Sequence, residues 1–547
     1  MRHTILFSAL FAVLSPIASF GQCSETDRPR VLLVGDSWAF FMGVDGTIND
    51  ALTKWGHSDK EFITNLVVAE NGAETDDFLT ASKQNAIQQL IDDNPTIDIV
   101  HLSIGGNDVL GDWHVSFTQQ ATDSLKQAVF GRLIQVIDFI KSTRPGMRIL
   151  WSGYAYPNFG EVIGELPSFL QSVHPFYGTW EDMGFPSFEQ LNVILNDFSA
   201  QIEAYAANDP QVDFVNATGL MQYTHGQSSP LAVPPGGSYP PYTVPLPAGN
   251  VLYPSPKSSM RNYGLFLDCF HLSAQGYADL IEYHTQKFYH KFLMHDAWSL
   301  SEGNGMDGSV TDAGGTSPLL ALGMANGERS GTVLSFQTSV PSGQQVSAAS
   351  IFLRRSSLTG TNPIGSTLQV KVINGHFGTS AMVEAADWSA AGDAEAPACR
   401  FGSNGGDGHW IRIDLPVQLL SHIATDGRTQ FLITDPNGTN GRVTFNDASD
   451  PDFAPVLDLT FAPMSVHVAE VSPRENGRIH PNPTNGMLFI NTTIGTPVVA
   501  EVHDIAGRVA LRTTTTGSLD LSALPMGTYI LRVQLPEGPL VRTVVRQ

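Results

Sequence analysis

The chain has 547 residues, of which 42% are hydrophobic and 15% are charged, and its formal net charge is −23. This length exceeds what one hydrophobic core organises, so several domains are expected. The acidic balance argues against nucleic-acid binding, which needs a basic face for the phosphates. The 51 glycines and 34 prolines indicate a turn-rich chain with abundant β-structure.

Residues 1–21 have the pattern of a secretory signal peptide. Arg2 supplies the positive charge, Ile5 to Ile17 form the apolar core, and Ser19-Phe20-Gly21 is a small-x-small cleavage site. A lipoprotein acylated on Cys23 is the weaker alternative, because the residue before it is large and polar. No later apolar stretch is long enough to span a bilayer, so no transmembrane segment is expected in the mature chain.

Residues 29–295 alternate short apolar runs with longer amphipathic segments. The runs predict strands at 31–34, 65–68, 98–104, 148–152 and 212–215. The amphipathic segments predict helices at 77–91, 122–140 and 188–206. Apolar strands separated by helices indicate a three-layer α/β domain with a parallel sheet covered on both faces. Catalytic loops are then expected at the carboxyl ends of the strands.

The rest of the chain loses the helical pattern. Residues 300–465 alternate apolar and polar positions between Gly, Asn, Asp and Ser clusters, which is typical of an antiparallel β-sandwich. Residues 476–547 form a last, small β-rich unit. The three cysteines are too few for a disulfide framework, and their spacings do not support a metal cluster.

Ser37 follows the first predicted strand, in Gly35-Asp36-Ser37-Trp38. A serine at a sharp strand-to-helix turn is exposed at the carboxyl edge of the sheet, and its own N–H points to where an oxyanion can sit. The alternative is a helix N-cap, which is the commoner role of a serine at such a position.

Two further loops carry candidate oxyanion donors. Asn107 follows the strand at 98–104 within Gly105-Gly106-Asn107-Asp108, and Gly72 follows the strand at 65–68. Asn107 aims its side-chain amide at the oxyanion, or it is an Asx-turn residue. Gly72 offers its N–H to the same oxyanion, or it only forms a turn.

Asp268 and His271 precede the last predicted helix of the domain. Their separation of three residues brings the carboxylate back to the imidazole Nδ1–H, which leaves Nε2 to accept the proton of a serine. The alternative is an aspartate at a helix entry beside a surface histidine.

These four elements, in this order, resemble the signature blocks of the SGNH (GDSL-like) hydrolase superfamily, and the resemblance covers about residues 30–295. It implies a flavodoxin-like fold, no metal and no cofactor. It also implies ester hydrolysis by the triad Ser37, Asp268 and His271, with an oxyanion hole formed by Ser37, Gly72 and Asn107.

Two departures from the family pattern bear on substrate binding. Trp38 replaces the smaller aliphatic residue usual after the serine, so a differently shaped acyl pocket is expected. Cys269 lies between the triad aspartate and histidine, where a small buried hydrophobe is the favoured interpretation.

A long loop from Thr224 to Arg261 is crowded with Pro, Gly, Ser and Tyr. Loops of this length are usually functional or disordered. Because it ends just before Asp268, its end is expected at the catalytic edge. Its residues Tyr239, Tyr242 and Tyr253 suit contact with sugar rings, and they suit a simple packed lid equally.

Residues 300–465 are similar to the DNRLRE-type, carbohydrate-binding-like β-sandwiches of bacterial secreted proteins. A structural spacer is an equally good interpretation of this region. Its acidic and amide side chains are candidate calcium ligands, although turn-forming roles are commoner. These candidates are Asp435, Asn437, Asp447 and Asp450.

Residues 478–547 resemble the type A C-terminal sorting domain of the type IX secretion system. The resemblance rests on Pro481-Asn482-Pro483, Gly486, residues 502–508 (V-H-D-I-A-G-R) and residues 524–529 (L-P-M-G-T-Y). It implies that the type IX secretion machinery is a partner, and that the protein is secreted or attached to the cell surface.

The combined interpretation is a secreted serine ester hydrolase, with an O-acyl (acetyl) carbohydrate esterase favoured because of the neighbouring sandwich. A lipid or lysophospholipid esterase is the alternative, for which a wide apolar cleft is required. A surface glycan-binding protein with an inactive hydrolase domain is the third hypothesis, and the intact set of four blocks argues against it.

Overall fold

The computed structural model describes residues 28–228, 238–365, 367–402, 404–464, 478–491, 497–505, 507–535 and 538–547. The predicted signal peptide and Cys23 lie outside the described residues. The chain divides after Pro463 into two compact units. The predicted fold class is confirmed, since an α/β domain with a parallel sheet is followed by a β-rich region and a small β-rich tail.

The α/β domain is built on a five-stranded parallel sheet. Its strands are β1 (Arg28–Gly35), β2 (Lys60–Ile63), β3 (Ile99–Ser103), β4 (Arg148–Ser152) and β5 (Val212–Val215). The strand order is β2-β1-β3-β4-β5, which is the doubly wound order of flavodoxin-like folds. Four of the five predicted strands are therefore confirmed to within a few residues.

The strand predicted at 65–68 is wrong, because β2 ends at Ile63 and the chain turns at these positions. Asn65 Oδ1 accepts hydrogen bonds from the backbone N–H groups of Val67 (2.9 Å) and Val68 (3.1 Å). Such local side-chain bonds offer the backbone an alternative to a strand ladder. Leu66 and Val67 are exposed, so apolar character did not signal burial here.

Helices cover both faces of the sheet, and the three predicted ones are confirmed. The helices are α1 (Ser37–Val44), α2 (Ile48–Lys54), α3 (Ala81–Asp93), α4 (Gly106–Asp112), α5 (Gln119–Thr143), α6 (Ser168–Gln171), α7 (Tyr177–Asp182), α8 (Phe188–Ala206), α9 (Leu220–His225), α10 (Ala274–His284) and α11 (His290–Phe292). Short 3₁₀ turns occur at Asp77–Leu79 and Lys257–Ser259, and π-helical turns at Gly160–Gly164 and Thr285–Tyr289. A hairpin of β6 (Met260–Tyr263) and β7 (Phe266–Leu272) precedes α10.

The alternating direction of the side chains along β1 explains why the domain has three layers. Leu32 and Val34 belong to a buried cluster with α3, α5 and α8, whereas Val31 and Leu33 belong to another with α1, α2 and α10. Successive side chains of a strand point to opposite faces, so a continuously apolar strand requires cover on both. Burial of each of these side chains stabilises the fold by about 1.5–3 kcal/mol.

The β-rich region that follows is an antiparallel assembly of twelve strands. They are β8 (Ala297–Leu300), β9 (Gly308–Thr311), β10 (Thr316–Ser317), β11 (Ala321–Ala325), β12 (Glu328–Ser339), β13 (Gln344–Gly360), β14 (Leu368–Asn374), β15 (Ala394–Phe401), β16 (Trp410–Asp414), β17 (Asp426–Thr434), β18 (Gly441–Phe445) and β19 (Val456–Pro463). Helix α12 (Val417–Leu420) and 3₁₀ turns at Pro363–Gly365 and Ala385–Trp388 interrupt them. Strand β13 pairs β16 and β19 along its first part and β18 along its second, with a register shift between Arg355 and Ser357.

The sandwich packs directly on the α/β domain. Trp55 and Met294 share a buried cluster with Phe352 and Trp410 of the sandwich. Arg412 donates to Asp59 Oδ1 at 2.7 Å, one residue before β2 begins. This contact therefore lies at the amino edge of the parallel sheet, opposite to the edge where α1 follows β1.

The C-terminal unit consists of two antiparallel sheets. Its strands are β20 (Arg478–His480), β21 (Met487–Asn491), β22 (Val498–His503), β23 (Val509–Thr515), β24 (Ser518–Asp520), β25 (Gly527–Leu535) and β26 (Gly538–Arg546). Leu488 and Ile490 of the three-stranded sheet share one buried cluster with Val502 and Leu531 of the four-stranded sheet. No helix in the described part of the chain combines the length and the apolarity that a membrane span requires.

Candidate active site

Three loops meet at the carboxyl edge of the sheet. The N–H of Gly35 donates to Val68 O at 2.9 Å, and the N–H of Asp36 donates to Ser103 O at 2.9 Å. A Cβ atom on Gly35 would lie 1.8 Å from Ser103 O, so only glycine fits at this position. The backbone bonds therefore bring the loops after β1, β2 and β3 together.

Ser37 is the first residue of α1 and lies in this corner. The carboxylate of Asp36 accepts the N–H of Trp38 at 2.9 Å, so Asp36 is the N-cap of the helix and Ser37 is not. The Ser37 side chain lines an open cleft while the residue as a whole is only 4% exposed. The capping role considered for Ser37 thus falls to its neighbour.

Asp268 and His271 form a buried pair at the end of β7. His271 Nδ1 donates to Asp268 Oδ2 at 2.8 Å. Asp268 Oδ1 accepts two backbone N–H groups, from Phe270 and His271, each at 2.9 Å. Three donors therefore fix the carboxylate, and the imidazole Nε2 has no hydrogen-bond partner among the described residues.

Phe41 connects the helix of Ser37 to the imidazole. Its ring centroid lies 4.9 Å from that of His271 in an edge-to-face arrangement. Phe41 follows Ser37 by four residues, so the two side chains share one face of α1. The guanidinium of Arg261 lies over the Phe41 ring, at 4.0 Å from the ring centroid. The face of α1 that carries Ser37 is thus held against the His271 ring.

Asn107 lies on the first turn of α4, and its side chain reaches the loop of Gly72. Its Nδ2 donates to Ala73 O at 2.9 Å, which uses one of the two N–H bonds of the amide. Asn107 lines the cleft. Gly72 is exposed with φ of 82°, and it is not part of the described lining.

A buried ionic network fixes the loop that contains Gly72 and Thr75 to α4. Asp108 accepts the Thr75 hydroxyl at 2.5 Å and the Thr75 N–H at 3.0 Å. Arg132 of α5 donates to Asp108 at 2.6 Å and to the Thr75 hydroxyl at 2.6 Å. Asp108 and Thr75 are almost completely buried, so the network sets the position of the neighbouring Asn107.

Tyr154 is a site residue that the sequence analysis missed. Its hydroxyl donates to Asp36 Oδ2 at 2.5 Å and accepts the N–H of Gly106 at 2.9 Å. Burial raises the pKa of Asp36 to about 6, although the Tyr154 hydrogen bond opposes the shift. Tyr154 follows β4 by two residues, and its place at the carboxyl end of a strand was the available signal.

The cleft beside Ser37 opens to solvent. Its polar residues are Asp36, Ser37, Asn107 and Tyr154. Its apolar wall is formed mainly by α4 and α8, with contributions from α1 and β7. The wall consists of Trp38, Val109, Leu110, Pro157, Leu191, Ile194, Leu195, Phe198 and Phe270. The apolar stripe of α8 predicted a helix packed on the sheet, and it also supplies this wall.

The aromatic residues proposed to contact substrate lie in different places. Trp38 lines the cleft and packs edge-to-face on Tyr154. Tyr253 is only 5% exposed, and its ring lies 5.5 Å from that of Tyr239. Tyr242 is 67% exposed. The described lining of the cleft includes none of these three tyrosines.

The cysteines and the candidate calcium ligands are explained by their local contacts. Cys269 is a buried free thiol whose pKa burial raises far above the ordinary value, which keeps it protonated, whereas Cys399 is disulfide-bonded. Asp435, Asp447 and Asp450 each accept a backbone N–H within their own turns. No group of three or more His, Cys, Asp or Glu side chains in the described parts of the chain is placed to hold a metal ion.

Two family models match the chain. Residues 33–278 match the GDSL-like lipase/acylhydrolase family, and residues 478–547 match the secretion system C-terminal sorting domain. No curated protein sequence matches the chain significantly. The DNRLRE-type resemblance of residues 300–465 is outside both matched ranges and stays a prediction.

Solved structures similar to the chain include several lipases. A GDSL-like lipase from Bacteroides thetaiotaomicron is 13% identical and covers 48% of this chain and 89% of its own, with a TM-score of 0.26. A lipase from a goat rumen metagenome is 13% identical over 48% of this chain and 98% of its own, with a TM-score of 0.27. Phospholipase A1 from Streptomyces albidoflavus is 16% identical over 46% and 96%, with a TM-score of 0.23.

The sequence blocks, the doubly wound sheet and the family matches agree. The chain is an ester hydrolase whose residues 33–278 form a domain of the GDSL-like lipase/acylhydrolase family, and whose C-terminal sorting domain directs type IX export to the cell surface or the extracellular space.

Proposed function

We propose that Ser37, His271 and Asp268 form a catalytic triad that hydrolyses carboxylic esters through an acyl-enzyme. The observation that carries the proposal is the Asp268–His271 pair. The carboxylate fixes the Nδ1–H of the imidazole, so Nε2 is the nitrogen left to accept a proton. The packing of Phe41 on His271 supports Ser37 as the donor of that proton.

In the acylation step, Ser37 Oγ attacks the acyl carbon while its proton passes to His271 Nε2. The carbonyl electron pair moves onto oxygen, and this oxyanion accepts hydrogen bonds from the N–H groups of Ser37 and Gly72 and from the free amide N–H of Asn107. Asp268 remains ionised and stabilises the imidazolium. Collapse of the intermediate expels the alcohol oxygen, which takes the proton from His271.

Deacylation repeats these steps with water. Water transfers a proton to His271 Nε2 as its oxygen attacks the acyl carbon, and the same donors hold the second oxyanion. The bond to Ser37 Oγ then breaks, and Oγ recovers the proton from His271. The products are a carboxylic acid and the free enzyme, and no metal or cofactor takes part.

The apolar wall of the cleft supports an acyl group of several carbons as the substrate class. Each buried methylene contributes about 0.8 kcal/mol, which corresponds to roughly a fourfold gain in kcat/KM. The wall describes the acyl half of the ester only, so it fits a fatty acyl lipid or an acylated carbohydrate. We favour the lipid ester, because acetyl is too short to use the wall of α8.

An O-acyl (acetyl) carbohydrate esterase is the second candidate. One observation favours it: Tyr242 is largely exposed, with its ring 5.2 Å from that of Tyr223, and exposed tyrosine rings suit stacking on sugars. The sandwich packs at the amino edge of the sheet, so a glycan bound there would anchor the enzyme without entering the cleft.

The first test is Ser37→Ala, assayed on p-nitrophenyl esters from acetate to decanoate. Without its nucleophile, the enzyme should lose activity by about 10⁴-fold or more. Thermal unfolding should remain that of the wild type, because Ser37 does not cap α1. Activity within about tenfold of wild type would exclude the triad.

The substrate test uses the same ester series with Leu195→Trp. Leu195 lines the cleft, and the larger ring should abolish the gain with chain length while acetate hydrolysis stays within about twofold. Val193→Trp is the matched control, since Val193 is exposed on the same helix. A wild-type enzyme that cleaves acetate fastest, and releases acetate from acetylated polysaccharide but no fatty acid from lysophospholipid, would establish the second candidate.

A further inference from the structure

Four apolar side chains are exposed on one side of the candidate active site. Leu265 at the tip of the β6–β7 hairpin is 99% exposed, and the adjacent Tyr263 is 48% exposed. Phe169 on α6 and Val173 just after it are 73% and 59% exposed. We call these four residues the apolar rim. A contiguous apolar surface of this kind marks an interaction site more often than a chance exposure.

Contacts join the two parts of the rim to each other. His174 Nε2 lies 3.0 Å from Leu267 O, and its ring centroid is 4.9 Å from that of Phe266. The ring of Phe176 lies 5.3 Å from that of Tyr263. The segment after α6 therefore packs on the hairpin, and we infer that the four exposed side chains lie on the same part of the surface.

The rim is also continuous with the cleft. The Phe176 ring lies 4.8 Å from that of Phe270, which lines the cleft, and 6.3 Å from that of His271. Leu265 immediately precedes β7, and His271 is near the end of this strand. Because an extended chain rises about 3.3 Å per residue, the hairpin tip lies up to about 20 Å from the imidazole. An apolar path thus leads from the hairpin tip to the acyl-binding wall.

Two basic side chains near the rim are paired with carboxylates. Arg261 of β6 binds Asp45, and Lys257 lies 2.8 Å from Glu165. Docking of the rim on an uncharged surface therefore leaves these charges with their partners. The net charge of −23 opposes approach to an anionic surface.

We propose that the apolar rim docks the enzyme on the surface of aggregated neutral or zwitterionic lipid esters, from which an acyl chain enters the cleft. The inference rests on the proposed function, because it requires a fatty acyl substrate. Tyr263 and Leu265 enter the lipid phase together with Phe169 and Val173. The acyl chain then passes along Phe176 and Phe270 without crossing water.

The binding test uses the full chain with Ser37→Ala, so that lipid is not consumed. Flotation with phosphatidylcholine vesicles measures the partition coefficient of this protein and of the same protein carrying Leu265→Asp and Phe169→Asp. Burial of one such side chain is worth roughly tenfold to hundredfold in partitioning, so the double variant should bind at least tenfold more weakly. Val417→Asp is the matched control, because Val417 is 74% exposed on α12 of the sandwich.

The activity test uses the same substitutions in the active enzyme. Hydrolysis of soluble p-nitrophenyl butyrate should stay within about twofold of wild type, whereas hydrolysis of emulsified tributyrin should fall at least tenfold. Equal loss of activity on both substrates, or vesicle binding unchanged by the substitutions, would contradict the proposed role of the apolar rim in docking. A wild-type dimer that the double variant converts to a monomer would show that a second copy occupies the surface instead. Failure of the proposed function is distinct, since the wild type would then not cleave the soluble butyrate ester.

Discussion

Two Asp–His pairs of nearly the same geometry lie at opposite edges of the parallel sheet. At the carboxyl edge, Asp268 accepts the backbone N–H and the Nδ1–H of His271, at 2.9 and 2.8 Å. Near the amino edge, Asp458 of the sandwich accepts the same two groups of His295, at 2.8 and 2.6 Å. Both aspartates are buried, so the carboxylate–imidazole contact itself does not distinguish the pairs.

The neighbours of the two pairs do distinguish them. The His271 ring packs on Phe41 of the helix that carries Ser37, and its Nε2 has no partner among the described residues. His295 is 42% exposed at its side chain and lies in a polar recess between the domains, lined by Lys60 and Arg412. In the proposed mechanism the first pair serves catalysis, whereas the second contributes to the contact between two domains. Substitutions at one edge should therefore leave the function of the other intact.

The largest expected effect comes from Asp268→Asn. The amide cannot hold the imidazole in the tautomer that leaves Nε2 free, and it does not stabilise an imidazolium. We expect kcat on p-nitrophenyl butyrate to fall about 10⁴-fold with the fold retained. Asp458→Asn is the matched control, and it should keep kcat within about twofold while lowering the melting temperature, since it weakens the contact between the domains. A comparable loss of kcat in both variants would refute the separation of the edges.

Asn107→Ala should have the next largest effect. Loss of one oxyanion donor costs about 2.7–4 kcal/mol of transition-state stabilisation, so kcat should fall about a hundredfold or more with little change in KM. Asn65→Ala provides the control, because it removes another loop amide that bonds only to backbone of its own turn. A change confined to KM would instead show that Asn107 binds the substrate.

The sequence located this edge because buried parallel strands are continuous apolar runs. Ser37 and Asn107 each follow such a run directly, and Asp268 and His271 are close in sequence, so local patterns sufficed. Tyr154 was missed because its partners Asp36 and Gly106 are far along the chain, and no local pattern signals that contact. Contacts between residues that are distant in sequence, such as those of Tyr154, could therefore be found only in the structure.

The same limit applies to two other expectations. An apolar run at 65–68 resembled a strand, but the Asn65 side chain captures the backbone in a turn. The tyrosines of the long loop resembled a binding surface, yet Tyr253 is buried beside Tyr239. The apolar or aromatic nature of a loop residue does not by itself predict whether its side chain is buried or exposed.

A third prediction concerns acid stability on the side of the sheet away from the cleft. His284 is fully buried beside His101, both of its ring nitrogens lack partners among the described residues, and burial lowers its pKa to about 3. The unfolded chain binds this proton near pH 6.5, so the neutral imidazole contributes stability above that pH, which is lost as the pH falls toward 3. The loss amounts to about 1.4 kcal/mol per pH unit.

His284→Leu should remove this loss, because leucine fills the site and binds no proton. Urea unfolding at pH 5 should show a gain of about 2 kcal/mol over wild type, relative to the difference at pH 8. His422→Leu, at a half-buried position of the sandwich, should leave the pH dependence unchanged. Identical pH dependence of His284→Leu and wild type would contradict the prediction. Ester hydrolysis by His284→Leu at pH 8 should be unaffected, since the residue does not line the cleft.

The smallest effect is expected from Tyr154→Phe, which tests positioning at the carboxyl edge. The hydroxyl joins Asp36, beside Ser37, to the N–H of Gly106, beside Asn107, so its loss should loosen the oxyanion site. We expect kcat to fall about tenfold, or about 1.4 kcal/mol, with KM unchanged.

The hydrogen bond from Tyr154 lowers the pKa of Asp36, so without it that pKa rises above about 6. Carbon NMR of the Asp36 carboxylate should report this rise in its pKa, which a packing role of Tyr154 alone would not produce. Tyr156→Phe removes another tyrosine hydroxyl, which bonds to Asn196 and Ala248, and should change neither quantity. Equal effects of the two substitutions would reduce the role of Tyr154 to packing.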